Sequence, residues 1–467
     1  MAAYDFILQN TVAVTPEGVV KRDIGVLEGR ISAIEAKLQN DSCPVIDAAG
    51  LTVMPGGVDV HVHFNEPGMG HWEGFETGSA ALAAGGTTTY FDMPLNGRPP
   101  TVTASAFEQK LDTALGKSAV DYALWGGLMP GYVDRLGELA ESGVIGFKAF
   151  MSSPGMPLED DFRESDEAVL LEGMREVARL GSILALHAED NELVARLSTI
   201  AQAAGYTDAY SYTASRPIAA EVLAVERALS LAEQTGCKLH FVHVSSAVAL
   251  SKITEARHRG MDVSAEVCTH QLMLTADDLA RLGPVAKCAP PLRTGSNMEA
   301  LWAALIRGEV DMIASDHSPC ETLMKEGDDF FAAWGGISGA QHRIELMIDE
   351  GHLKRGIPLT LMAELLAGKP AERFGLGGLK GRLEVGMDAD FVLIDLKQSY
   401  KIETEDLLYL HPHSPFVGRE VGCKVMATFC RGQLVYSADQ GVLVNRIGKF
   451  LKATGDSRRA RTRKVER

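Results

Sequence analysis

Five short stretches of the chain carry side chains that bind metal ions or move protons. The first is His61-Val62-His63. In an extended strand alternate residues share a face, so both imidazoles point the same way and can hold one cation. Lys148 lies inside the apolar run Val144–Phe150, where an ammonium is costly to bury. It has two readings: its amine snorkels to a barrel mouth or pairs with a carboxylate, or it has stayed neutral and reacted with carbon dioxide. The resulting carbamate would be an anion with two oxygens, long enough to bridge two metal ions. His187 ends the run Ile183–His187, ahead of Ala188-Glu189-Asp190. His240 and His243 share the run Lys238–Val244, at an odd separation that predicts opposite faces. His243, nearer the end, is the ligand candidate, and His240 reads as a hydrogen-bonded structural histidine. Asp316 follows the run Val310–Ala314 and opens Asp316-His317-Ser318-Pro319-Cys320. One carboxylate oxygen there can bind metal while the other accepts a proton from water; the competing reading is a helix N-cap.

These residues need a scaffold that brings them together. Strand-length apolar runs occur at Val58–Phe64, Thr87–Met93, Tyr122–Leu128, Val144–Phe150, Ile183–His187, Lys238–Val244, Asp262–Cys268 and Val310–Ala314. Between them, stretches such as Asp166–Leu180, Ala219–Thr235 and Asn297–Arg307 place apolar residues at helical spacing. Strands alternating with helices predict an α/β fold, a parallel (β/α)8 TIM-type barrel over residues 55–377. A doubly wound open sheet is the rival, weakened because no GxGxxG or GxxxxGK[ST] follows the first strand. In such a barrel the active site lies at the C-terminal ends of the strands. The four histidines, Lys148 and Asp316 fall at the ends of strands one, four, five, six and eight. Chance is a poor explanation for that placement.

Both chain ends have a different texture. Asp5–Leu8, Asp23–Leu27 and Arg30–Ile34 are short strand-like runs, as are Ala389–Ile394, Lys424–Phe429 and Leu434–Tyr436. Neither end has enough strands for an independent sheet. They are expected to meet in one small β-sandwich domain, residues 1–54 plus 378–450. Residues 451–467, rich in Arg and Lys, read as a flexible basic tail.

The composition, with 46% hydrophobic and 23% charged residues, is that of a soluble globular protein. A net charge of −17 argues against nucleic acid or an anionic membrane as partner. Seven cysteines, scattered and without a CxxC pair, suit a reducing cytosol, and no run is long enough for a membrane span. Cys268 and Cys320 fall close to the barrel mouth, where oxidation could reach them.

The motifs resemble the amidohydrolase superfamily, in its cyclic-amidase branch, and most closely the allantoinases. The resemblance is carried by Pro55-Gly56-Gly57-Val58-Asp59-Val60-His61-Val62-His63, His71-Trp72-Glu73-Gly74, Met93-Pro94-Leu95-Asn96 and Gly146-Phe147-Lys148. Ala214-Ser215-Arg216-Pro217, Lys287-Cys288-Ala289-Pro290-Pro291, Ser315-Asp316-His317-Ser318-Pro319-Cys320 and Ala333-Trp334-Gly335-Gly336-Ile337 extend it along nearly the whole chain. It implies a two-metal site: His61, His63 and Asp316 on the more buried ion, His187 and His243 on the more exposed one. Lys148, as N6-carboxylysine formed from carbon dioxide or bicarbonate, would bridge them. The ions would be zinc, with cobalt, manganese or iron able to replace it. Asp316 would be the catalytic residue, moving a proton from the attacking water to the leaving ring nitrogen. Asn96, Ala289, Ser318 and Trp334 would contact substrate, Ala289 through its backbone.

The implied reaction is opening of the cyclic amide of allantoin to allantoate in purine breakdown, by a cytoplasmic homotetramer. Dihydroorotases place an arginine just after the HxH pair, where this chain has Phe64 and Asn65. Hydantoinases and dihydropyrimidinases carry a tyrosine shortly after the bridging lysine, where it has Phe150-Met151-Ser152-Ser153. A non-catalytic scaffold of the same fold is the alternative from another class. The filled ligand set argues against it.

Overall fold

In this computed structural model the described residues are 4–39, 43–155, 158, 160–443 and 446–452. The apolar runs of the middle region are buried on both faces, as in a parallel sheet covered by helices. They form β1 (Gly57–Val62), β2 (Thr87–Asp92), β3 (Asp121–Leu124, resuming at Gly126–Gly127) and β4 (Phe147–Phe150). β5 (Ile183–His187), β6 (Lys238–Phe241), β7 (Val263–Cys268) and β8 (Met312–Ala314) follow. Each pairs in parallel with the next. Just past β8 the chain returns to β1: Val62 bridges His317, and the His63 N–H donates to the His317 carbonyl at 2.8 Å. The eight-stranded TIM-type barrel is thereby closed.

Its helices begin where side chains cap them. Asp166 accepts from the Val169 N–H, Asp190 from Leu193 and Ser246 from Ala249, each satisfying a donor that a helix start leaves unpaired. Helix Glu167–Arg179 turns Leu170, Met174 and Val177 inward, at helical spacing. Inside the barrel Phe91, Ala123, Trp125, Ala185 and Met312 pack with Phe374. Each large side chain buried there contributes about 1.5–3 kcal/mol relative to exposure. This packed plug forces the polar strand ends to one mouth.

The two chain ends share one sheet of nine strands. Thr52–Pro55 pairs antiparallel with Phe391–Asp395, which pairs with Lys424–Cys430. Phe6, Leu8, Ile24, Val53, Phe391 and Phe429 form its core. A buried ion cluster fixes the sheet to the barrel. The Lys380 ammonium lies 2.6 Å from Asp121 at the start of β3 and 2.8 Å from Asp390, and Arg431 lies 3.0 Å from Asp121. Such a cluster is worth little as net stability but strongly penalises any docking that separates its members.

The C-terminal segment returns to the barrel. Tyr122 donates its N–H to the Lys449 carbonyl at 3.0 Å and accepts from the Leu451 N–H at 2.7 Å. Leu451, expected to begin the basic tail, is thus tied to β3; residues 453–467 of that tail lie outside the described residues. Among the described residues no helix is long and apolar enough to cross a membrane.

Candidate metal centre

The strand ends place six donors around one point. The Asp316 Oδ1 lies 3.1 Å from His61 Nε2 and 3.5 Å from His63 Nε2. His187 Nδ1 lies 3.1 Å from His243 Nε2, and the His61 and His243 rings are 5.4 Å apart. One donor atom from each of His61, His243 and Asp316 falls within 4.8 Å of the others. Lys148 is fully buried, and its amine has no hydrogen-bond partner. It sits 5.0 Å from the Phe150 ring, which in turn stacks on His187 at 4.6 Å. Neither bland reading of Lys148 is met: it does not reach solvent, and no carboxylate pairs with it among the described residues. Nor is Asp316 a helix cap. It has φ +47° and no helix starts there.

Backbone strain collects at this mouth. Asn65, Asn96, His243 and Asp316 follow β1, β2, β6 and β8, and all have positive φ. For residues with a Cβ this region costs energy, and it persists where the surroundings impose it. The turn at His243 places that residue beyond the strand, where alternation no longer applies. The strand ends at Phe241; the His240 ring meets Glu266 and Phe374 inside the barrel, and the His243 ring lies against His61 and His187 at the mouth. His240 Nε2 lies 3.0 Å from Glu266 Oε2, and the His243 N–H donates to Oε1 at 3.1 Å.

Glu266 is the residue that motif reading missed. From β7 its Oε1 comes 2.5 Å from His61 Nδ1. That contact fixes the proton on Nδ1 and leaves the Nε2 lone pair for a cation. Glu189 does the same for His187: it takes Nε2 at 2.9 Å, so Nδ1 is the nitrogen turned toward His243 and the other donors. Glu189 is held in turn by Arg216 at 2.5 Å. The signal was available, since an acid inside a buried strand run (Glu266), or two residues beyond a ligand on the same face (Glu189), needs a partner. Substituting Glu266→Gln should weaken metal affinity by about tenfold or more, as outer-shell changes do. Chelator competition on purified protein measures it, and an unchanged affinity would remove Glu266 from this role.

Burial governs the charge states. It pushes His63 down to about 4 and His243 well below its ordinary value, so both are neutral ligands at pH 7. Burial alone would raise the Asp316 carboxyl, but His61 and His63 hold it below the usual range. Burial brings the Lys148 amine down to about 7, against the pull of Glu266 and Asp316. A neutral amine next to imidazoles is therefore available near neutral pH.

The donors open into a cavity of about 670 Å³. Asn96, Ala289, Ser318 and Trp334 all line it. Asn96 Nδ2 lies 3.3 Å from His63 Nδ1, while its Oδ1 is buried without a partner. With the amide turned over, Oδ1 accepts from Nδ1–H and frees the His63 Nε2 lone pair. Trp334 donates its indole N–H to the Ser318 carbonyl at 3.2 Å and packs edge-on against Trp72 at 4.8 Å. The neighbouring Gly336 is required: a Cβ there would come within 2.3 Å of the Ser318 carbonyl. Lys325 ties this loop down, donating to the Trp334 carbonyl at 2.9 Å and the Gly336 carbonyl at 2.5 Å. Cys268 and Cys320 do not stand open at the mouth. Both are fully buried with thiols pushed up by burial, Cys320 to about 11, which opposes oxidation.

These residues fit divalent cations: neutral imidazoles with their lone pairs turned inward, a carboxylate among them, and an orphaned amine. Comparison with known proteins agrees with the site. Residues 52–435 match the amidohydrolase family, whose members are generally metal-dependent. The chain is 48% identical to an allantoinase of Solibacter usitatus over 93% of this chain and 94% of that protein. It is 46% identical to one of Rubrobacter xylanophilus over 97% and 98%. Among solved structures, the L-hydantoinase (dihydropyrimidinase) of Arthrobacter aurescens superposes with a TM-score of 0.92 at 35% identity, covering 96% of this chain and 100% of that one. The chain belongs to the amidohydrolase family and, within it, to the allantoinases.

Proposed function

We propose that this protein hydrolyses the cyclic amide of allantoin, opening the hydantoin ring to allantoate, with two divalent cations held at the barrel mouth. His61, His63 and Asp316 would hold one cation and His187 and His243 the other. Lys148, carboxylated by carbon dioxide or bicarbonate, would be shared between them. The observation that carries this reading is Lys148, a fully buried amine with no partner among four imidazoles and a carboxylate. Zinc suits the imidazole-rich set, and cobalt, manganese or iron could replace it.

When bound, such a cation pair lowers the pKa of a water and polarises the scissile carbonyl. The chain's own residues do the rest. Asp316 directs Oδ1 toward His61 and His63, which leaves Oδ2 to take the proton of the attacking water and hand it to the leaving ring nitrogen. The Arg216–Glu189–His187 chain keeps the His187 lone pair turned inward. Trp72 and Trp334 wall the cavity, and Ser318, Ala289 and Asn96 supply polar atoms along it. A reducing cytoplasm, in keeping with seven free cysteines, and a tetrameric assembly complete the reading.

The substrate choice is supported by relatives named allantoinase at 45–48% identity over nearly the whole chain. A hydantoinase-type substrate is the second reading, favoured by structural likeness at 35% identity. It fits less well, because the segment Phe150-Met151-Ser152-Ser153 that follows Lys148 carries no tyrosine to donate to the substrate. Assayed side by side with metal and bicarbonate, allantoin should be opened far faster than dihydrouracil or dihydroorotate. Faster turnover of either rival ring would reassign the substrate. Metal analysis of the same preparation separates enzyme from scaffold, with about two ions per chain expected.

A further inference from the structure

Asp316 also belongs to a second group of buried donors, whose other two members the reaction does not use. Cys268 ends β7, and His270 follows in the short helix Thr269–Met273. One atom each from Cys268, His270 and Asp316 lies within 4.8 Å of the other two. Cys268 is fully buried and His270 only 2% exposed. Among the described residues the ion-pair partners of Asp316 are His61 and His63, and no ammonium or guanidinium sits on this trio. A different buried trio makes the contrast. Asp121, Asp390 and Cys430 are equally close together, but the Lys380 ammonium already sits on both carboxylates and supplies the missing charge.

A thiolate, an imidazole and a carboxylate around one point make a donor set for a soft d10 cation. The thiolate disfavours magnesium and calcium, which take oxygen ligands. We propose that Cys268, His270 and Asp316 form an inhibitory site for a thiophilic divalent cation such as cadmium or excess zinc. The site shares Asp316 with the catalytic centre. On binding, the Cys268 thiol releases its proton to solvent and the sulfur bonds to the cation; no redox change occurs. With this added cation on its carboxylate, Asp316 can no longer accept a proton, so turnover stops while the catalytic cations stay in place.

The inhibition rests on the proposed hydrolase reading; the binding does not. The test titrates the metal-loaded enzyme with cadmium in thiol-free buffer, following ultraviolet thiolate-to-metal absorption, activity and resident metal content together. The absorption should saturate at one added ion per chain, with activity lost in parallel and the resident metal retained. In Cys268→Ala the absorption should vanish, and inhibition should need about tenfold or more cadmium. His270→Gln, read the same way should Cys268→Ala fail to fold, should weaken both signals. Cys320→Ala should change neither. Inhibition of Cys268→Ala at unaltered cadmium, or loss of activity that tracks loss of resident metal, overturns the proposal. If the wild-type chain opens no cyclic amide, the absorption and stoichiometry still read the site, so the two hypotheses fail separately.

Discussion

Lys148→Ala should cut allantoin turnover by about 10²–10³-fold or more, because a shared ligand lost from two cations forfeits several kcal/mol of transition-state stabilisation. Elemental analysis should find fewer than two ions per chain. The reason lies in what Lys148 lacks. An amine fully buried and without a hydrogen bond is an expense the fold would shed unless chemistry required it. Burial lowers it to about 7, so a large share is unprotonated near neutral pH and can attack carbon dioxide. Two further readings separate a carbamate from a merely structural lysine. A short-chain carboxylic acid added to Lys148→Ala should restore part of the activity by lending a carboxylate to the space left. Lys148→Met should melt at the wild-type temperature or above, because an apolar side chain of similar length replaces an unpaired polar group. Normal turnover in Lys148→Ala would remove the carbamate from the account.

How much of this was legible from the chain depends on the kind of signal. The eight barrel runs were readable because both faces of each strand are buried, which leaves an unbroken apolar word such as Ile183–His187. The histidines, Lys148 and Asp316 stood out as polar interruptions at the ends of those words. Alternation does not extend to His243, which lies past the strand's end at Phe241 and has a left-handed backbone that no strand rule anticipates. The partners of the ligands were less visible. Glu266 reaches His61 across 205 positions, and nothing local announces such a contact. Asn96 carries a second lesson. Expected as a substrate contact, it lines the cavity but also lies against His63 Nδ1, so its side chain has a positioning task that sequence could not separate from binding.

The second large effect belongs to Asp316. Asp316→Asn should lower kcat by about 10²–10⁴-fold, the usual worth of a placed proton carrier, with KM little changed and both cations retained. Asparagine preserves the shape and one oxygen toward His61 and His63, so the cation ligand survives while the proton acceptor is lost. Asp316→Ala should instead lose metal as well, since its Oδ1 is the atom on which His61 and His63 converge. The comparison isolates the proton from the ligand. If Asn were as slow as Ala and equally depleted of metal, Asp316 would be a ligand alone. If Asn turned over normally, the proton would travel through another group. In the expected case the metal content of Asp316→Asn matches wild type while its rate collapses, and the carboxylate that completes the cation's shell is also the base that makes the attack possible.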